Sequence, residues 1–592
     1  MSKGSFSDRH EISGTFGVVA SSHWMASQAG MAVLETGGNA FDAAVAAGFV
    51  MQVVEPHQNG LGGDAVIMLR RAESDLPQVI CGQGVAPAAA SIARYKGLGL
   101  DLIPGTGLLA AVVPGAFDAW MLLLRDYGIR GLADVLPMAI GYAHNGFPLT
   151  REAAKEIAKA AKRFRSEWRS SAFVYLPGNE VPVAGALFRN IRLAETYNAL
   201  LSEAIAASSD RCEQIEAARR AFYRGFIAEK VGEFFDGPKD HEGRVMCAEG
   251  LLSADDMFRW GATYEDAVSY SYGDVQVYKP GPWTQGPAFL QFLALLKYFD
   301  LCEVNPCGAD YVHTIVECLK LAYADREAWY GDPNFVRVPI EDLLSEKYNL
   351  ARKDLIRNQA SPELIPGQPN NAYPTLPSYK LSVSGGASAE VAASDLRPRA
   401  KGDTCHIDVI DRWGNMVAAT PSGGWLHGAP TIPELGFSTS TRGQMFWLQE
   451  GLPSSLTPGA RPRTSLSPTI ALDKSGAALA FGSRGGDYQD QWIAQFFLQH
   501  LNGSDLQDAA DVPMFHSDHW PRSDYPRDAS PAKLTVDERF APTVIEQLKN
   551  RGHDVHIHPG RRWGRSCAAK KCGILLKAAA SSSVPQALAV GR

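Results

Sequence analysis

Lys401-Gly402-Asp403-Thr404-Cys405-His406-Ile407-Asp408-Val409 is the stretch on which the reading of this chain turns. It alternates as a strand does, with His406, Asp408 and Ile410 on one side and Ile407, Val409 and Asp411 on the other. Arg412-Trp413-Gly414-Asn415 makes a turn, and Met416-Val417-Ala418-Ala419-Thr420 returns, so the segment predicts a β-hairpin. Thr404 stands where a polar segment meets the first strand. A chain cut there would expose Thr404 as a new N-terminus. Its α-amine, titrating near pH 8, would serve as base for its own hydroxyl, a weak nucleophile until a base takes its proton. From these residues alone a second reading stands beside this one: Thr404 simply begins a strand.

Working outward, residues 359–401 are rich in Pro, Ser, Asn and Ala, with nothing to bury a face. They read as an exposed, mobile linker and as the one clear break in the chain. Upstream, Gly17-Val18-Val19-Ala20 reads as a strand. Ser22 caps an Ala-rich helix to Glu35, and Asn39 caps a second from Ala40 to about Val53. Glu55-Pro56-His57-Gln58-Asn59-Gly60-Leu61-Gly62-Gly63-Asp64 leads into the strand Ala65–Leu69. No lysine follows these glycines as a phosphate loop requires, so a tight helix-to-strand connection is the expectation. Further helices are expected at 119–125, within 130–236, and at 287–299 and 309–329.

Downstream, Thr464-Ser465 precede the strand Thr469–Leu472, and Ala477–Phe481 is another strand. Gly482-Ser483-Arg484-Gly485-Gly486-Asp487 then opens a helix from about Tyr488 to Leu501. A strand, a Gly-Gly turn and a helix start together can leave backbone N–H groups for an oxyanion. On their own these residues favour a plain turn.

Composition narrows the class. The 592 residues exceed one ordinary domain, and 45% apolar with 20% charged residues describe a globular protein with a large core. The balance of 57 basic and 64 acidic residues argues against a nucleic-acid partner. The first ten residues carry no apolar signal region, and no apolar run is long enough to span a membrane, so a cytoplasmic location is the expectation. Nine scattered cysteines fit reduced thiols, and no histidine pair completes a zinc set with Cys302/Cys307 or Cys567/Cys572. Neither a metal nor a cofactor is expected.

Taken together, Ala20-Ser21-Ser22-His23, the run Gly37 to Ala46, Glu55-Pro56-His57, Tyr323-Ala324-Asp325-Arg326, Gly331-Asp332-Pro333 and Thr404-Cys405-His406 come in the order seen in γ-glutamyltransferases. The chain resembles that family over about residues 14–592. The resemblance implies a four-layer αββα N-terminal-nucleophile hydrolase fold, with two stacked, mainly antiparallel sheets between helical layers. It also implies a proenzyme that cuts itself before Thr404, giving a large subunit 1–403, whose 359–403 stretch is the linker, and a small subunit 404–592. By position Thr404 would be nucleophile and base, Ser422 the supporting hydroxyl, and Gly485 and Gly486 the oxyanion donors. Thr464 and Ser465 fall where the family has a serine pair contacting the substrate carboxylate.

Four positions depart from the family pattern. Ile92 stands where the family has the arginine that binds the glutamyl α-carboxylate, with Arg94 nearby as a substitute. Gly424 replaces an asparagine. Arg442 and Met445 occupy the positions that grip the α-amino group. A guanidinium at Arg442 would repel an ammonium and pair with a substrate carboxylate; the plainer reading is that it pairs with a structural carboxylate of the protein. The chain therefore looks like a divergent branch resembling oxamate amidohydrolase and related acylases. The expected activity is hydrolysis of a small carboxylate-bearing amide. The alternatives are a true γ-glutamyltransferase or glutathione hydrolase and, from another class, an inactive binding scaffold. Expected partners are the amide substrate and the two subunits of one precursor, with a homo-oligomer left open.

Overall fold

A computed structural model describes residues 7–237, 250–301, 304–382, 404–559 and 564–592. Its centre is two seven-stranded sheets. One runs in the order Leu588–Gly591, Gly17–Ser21, Ile407–Asp411, Met416–Ser422, Asp64–Arg70, Gln78–Gly82, Thr263–Asp266. The other runs Ile12–Gly14, Leu575–Ala580, Ser566–Cys572, Ala478–Ser483, Thr469–Asp473, Val275–Lys279, Val268–Tyr272. Every neighbouring pair in both is antiparallel.

Side-chain alternation on each strand sends one set of residues between the sheets and the other toward helices. Ile407, Val409, Val417 and Ala419 pack with the helices Trp24–Glu35, Ala40–Val54 and Ala116–Tyr127. Ala471, Leu479, Phe481 and Ala568 pack on the far side with the helices Gly286–Leu296, Ala309–Trp329 and Gln489–Leu501. Between the sheets lie mostly small residues, among them Ala20, Ala418, Ala478, Ala480, Ala569 and Ala578. The result is the four-layer αββα N-terminal-nucleophile hydrolase fold that the resemblance implied.

The expected hairpin forms, with Ile407 opposite Ala419 and Ile410 opposite Met416. Asp411 closes it. One of its oxygens accepts from the N–H groups of Trp413, Gly414 and Asn415, each at 3.0 Å, and the other from Ala40 N at 2.9 Å, at the start of the second helix. Asn39 caps that helix in a capping box with Asp42. The first helix differs from expectation. It starts at Trp24, and its cap is His23, whose Nδ1 accepts from Met25 N. Ser22 is turned away because its hydroxyl accepts from His406 N at 2.8 Å, which ties it to the strand that follows Thr404.

Where it is described, the linker is mostly exposed or half-buried. Residues 359–382 contain almost no regular structure but are fastened at many points. Ser361 N donates to Glu317, Gly367 N to Asp325 at 2.6 Å, and Ser382 N to Ala529 O at 2.7 Å. Backbone hydrogen bonds, which composition does not reveal, hold it. Residues 383–403, and with them the Asp403–Thr404 junction, lie outside the described residues. No described helix is long and apolar enough to cross a membrane.

A polar seam runs between the sheets. His406 Nδ1 meets Thr420 Oγ1 at 2.9 Å, His406 Nε2 meets Asp408 Oδ1 at 3.0 Å, and all three side chains are fully buried. Burial pushes the Asp408 carboxyl up to about 6, against the pull of His406. The facing sheet admits the imidazole only because residue 482 is glycine: a Cβ there would lie 2.3 Å from His406 Cε1. Gly482→Ala should therefore cost roughly 1–3 kcal/mol by overpacking, read as a lower denaturation midpoint. Gly97→Ala, where a Cβ meets nothing within 4 Å, should leave that midpoint nearly unchanged.

Candidate active site

Thr404 continues the hairpin by one more antiparallel pairing, to Ser422, while Cys405 N donates to Pro421 O at 3.0 Å. The pairing brings Thr404 Oγ1 to 3.3 Å from Ser422 Oγ. Thr404 is only 2% exposed, yet it lines a cavity of about 1370 Å³. Ser422 is held by the glycine loop. A Cβ on Gly63 would lie 2.3 Å from Ser422 O, and one on Gly60 2.6 Å from Gly424 O. These glycines serve close backbone approach, as the tight-connection reading expects, and Asn59 extends the contact by pairing with Gly423.

The Gly485-Gly486 turn also lines the cavity. Gly485 has φ +125° and Gly486 φ +56°, conformations that suit glycine. A Cβ on Gly485 would strike Trp492 at 2.5 Å, whereas Gly486 faces open space. Neither glycine N–H donates to a described residue. The turn is braced from behind: Asp487, the next residue, accepts from Arg326 Nη1 at 2.7 Å, Ser523 N at 2.7 Å and Ser523 Oγ at 2.6 Å. Burial opposes ionisation of Asp487, but Arg326 and Arg463 prevail and hold its carboxyl down at about 2. Arg326 comes from the helix Ala309–Trp329, so the Tyr-Ala-Asp-Arg motif acts on the turn through Asp487.

Arg442 and Met445 line the cavity beside Thr404. Arg442 Nε donates to Asp64 Oδ2 at 2.9 Å, and Asp64 also accepts from Ser440 Oγ and Gln83 Nε2. The guanidinium lies 5.3 Å from the Trp425 ring, and its Nη2 has no hydrogen-bond partner among the described residues. Arg442 thus pairs with a buried structural carboxylate and still has a donor to offer. Ser465 lines the cavity with its hydroxyl unpartnered among the described residues. Thr464 is fully buried and does not line it: its N–H donates to Trp283 O at 2.9 Å, and its hydroxyl accepts from Leu466 N.

Arg94 is a correction. It sits exposed on the short helix Ile92–Gly97 and is not among the cavity-lining residues, so it does not stand in for the arginine replaced by Ile92. Ile92 packs against the cluster around Tyr95 and Phe446.

Sequence reasoning passed over several cavity residues. Asp64, which lies behind the lining as the partner of Arg442, reads from the sequence only as the end of a glycine loop. Trp425, Tyr488, Trp492 and Trp520 give the cavity aromatic walls, with Tyr488 stacked on His516 at 4.0 Å. Arg484 is held by Glu152 at 3.0 Å from a distant helix. A pairing between residues so far apart in the chain leaves no local signal.

Comparison with known proteins follows this geometry. The family model described as gamma-glutamyltranspeptidase matches residues 26–581. The chain belongs to the γ-glutamyltranspeptidase family. Among its relatives, the glutathione hydrolase-like YwrD proenzyme of Bacillus subtilis is 29% identical over 552 residues, 92% of each chain. The oxamate amidohydrolase proenzyme of Klebsiella pneumoniae is 29% identical over 553 residues, again 92% of each. A solved structure titled LmbA2991HD is 49% identical, with a TM-score of 0.92, covering 99% of this chain and 100% of that one.

Thr404 and the Gly485-Gly486 turn line one cavity, and N–H donors directed into it would stabilise charge developing on a carbonyl oxygen. Gly486→Pro removes one donor and cannot keep φ +56°, and turnover should fall roughly 100- to 1000-fold. Gly486→Ala keeps the N–H and has space for its methyl, although φ +56° strains any L side chain, so it should lose far less turnover than Gly486→Pro. Equal turnover of the two variants, with folding intact, would move the oxyanion site elsewhere.

Proposed function

We infer that this chain is a self-processing amidohydrolase whose nucleophile is Thr404. The observation that carries this is Thr404, whose Oγ1 lies 3.3 Å from Ser422 Oγ and which lines one cavity with the Gly485-Gly486 turn. In the precursor, the Thr404 hydroxyl attacks the Asp403 carbonyl. The peptide bond gives way to an ester as the Thr404 nitrogen takes a proton, and water opens the ester. A large subunit 1–403 and a small subunit 404–592 result.

The freed amine then accepts the Thr404 hydroxyl proton as the oxygen attacks a substrate amide carbonyl. Ser422 orients the attacking oxygen, and Gly485 and Gly486 N–H groups receive the oxyanion. Collapse expels the amine with that proton and leaves an acyl ester on Thr404, which water hydrolyses.

Arg442 Nη2 and Ser465 Oγ are the groups fitted to hold a substrate carboxylate. The competing reading, hydrolysis of a γ-glutamyl donor such as glutathione, needs an acidic group able to hold an α-ammonium. Met445 stands where that group would be. The acidic side chains lining the cavity have cationic partners already: Asp487 with Arg326, Asp518 with Lys533, Asp524 with Arg522, Glu152 with Arg484 and Glu156 with Lys159. This supports an amide bearing a carboxylate and no α-amine, such as an oxamate-like compound or a dicarboxylic monoamide. An inactive scaffold would have no need of a threonine backed by a serine hydroxyl in one cavity with the Gly-Gly turn.

The test is a side-by-side assay of glutathione and des-amino carboxylate amides with Arg442→Lys. Lysine keeps a cation for Asp64 but loses the Nη2 donor. KM for the des-amino amides should rise about 10- to 100-fold, as a charge-assisted hydrogen bond of roughly 1.5–3 kcal/mol is lost. Efficient glutathione hydrolysis that Arg442→Lys leaves unchanged, with the des-amino amides untouched, would return the chain to the glutamyl branch.

A further inference from the structure

Away from the cavity, His313, Glu317 and His553 bring their ligand atoms within 4.8 Å of one another. Their exposures are 3%, 4% and 4%. His313 and Glu317 lie four residues apart on the helix Ala309–Trp329, hence on one face. His553 comes from the turn after the helix Pro542–Asn550. We propose that these three side chains form a binding site for a divalent cation of the zinc class, joining the segment before the Asp403–Thr404 junction to the segment after it.

The donor set of two imidazoles and a carboxylate is one that zinc accepts. His313 is oriented for it. Its Nε2 lies 2.6 Å from Arg357 O, where it donates, leaving the Nδ1 lone pair directed at His553. Glu317 is oriented as well: Oε1 accepts from Lys320 Nζ at 2.6 Å and Oε2 from Ser361 N at 3.2 Å. The longer contact leaves Oε2 the more available oxygen.

At present His553 Nε2 meets His313 Nδ1 at 2.9 Å, with one proton between them. His553 Nδ1 is buried and has no hydrogen-bond partner among the described residues. When the ion enters, the proton on His553 Nε2 moves to Nδ1, both facing nitrogens become lone-pair donors, and no net proton is lost. Zinc–nitrogen bonds of about 2.0–2.1 Å at a tetrahedral angle put the two nitrogens about 3.3 Å apart. A few tenths of an ångström of opening suffice. The Lys320 ammonium works against the ion by like charge and by its hold on Glu317. It sets the affinity of the site without filling the ligand positions.

The experiment uses the full purified protein, stripped with a chelator and titrated with zinc chloride alone. Calorimetry should give one tight zinc per chain, and the unfolding temperature should rise with added zinc. His313→Ala and His553→Ala should each weaken binding at least tenfold, and Lys320→Gln should strengthen it. X-ray absorption on the zinc-loaded wild type should report two imidazole ligands, a reading that needs no variant to fold. The proposal is overturned if the wild type shows no saturable binding. It is equally overturned if zinc stays bound in both histidine variants, or if the absorption spectrum shows sulfur ligands, as binding at the exposed Cys212 or Cys572 would give.

Discussion

The stacking of two sheets across a layer of small side chains is the constraint on which the site depends. Ala418 and Ala480 let the sheets approach, and Gly482 leaves room for the His406 ring. The polar seam of His406, Thr420 and Asp408 then occupies the gap with its hydrogen bonds made, which a buried polar group requires. Thr404 and Ser422 are the next pair along the same two strands. Their separation follows from the hairpin register, and the register from the alternation that buries Ile407 and Val409 against helices. A side chain placed on a strand inside such a seam has little freedom to drift.

The opposite wall of the site is fixed by charge. Arg326, fully buried, reaches Gln285, Glu327 and Asp487, and through Asp487 it sets the glycine turn. A buried pair of this kind is a costly way to gain stability, and breaking it leaves an uncompensated charge. Its value here is geometric. It ties a helix preceding Thr404 to a turn following it, so the two walls of the cavity hold one position relative to each other. The described part of the 359–382 segment adds to that joining, since Ser382 pairs with Ala529 beside the cavity residues 522–524.

Much of this was legible in the sequence, and the reasons are local ones. Strict alternation from His406 to Asp411 marks a half-buried strand, and Arg412 to Asn415 supplies the turn, so the hairpin could be read directly. Asn39 with Asp42 announces a helix start through its capping box. The two-sheet, four-layer arrangement came from family resemblance, because strand order depends on contacts between distant segments. Ser22 was read as a cap when His23 fills that role, since the bond from His406 N to Ser22 Oγ joins residues 384 apart. The charge of Arg442 announces a carboxylate partner, structural or substrate, but that Asp64 is the structural one depends on the glycine loop folding back. Arg94 was offered for its nearness in sequence to Ile92, and helix geometry turns it to solvent. The residues that escaped notice are those whose partners are far away in the chain.

The claim beneath all of this is that Thr404 works as a chain terminus. Intact-mass measurement of the freshly purified protein, combined with N-terminal analysis, tests it most directly. The account expects two associated chains, the smaller comprising residues 404–592 and beginning at Thr404, and a single uncut chain when Thr404 is replaced by alanine. A wild-type protein that remains one uncut chain while turning over substrate would contradict it.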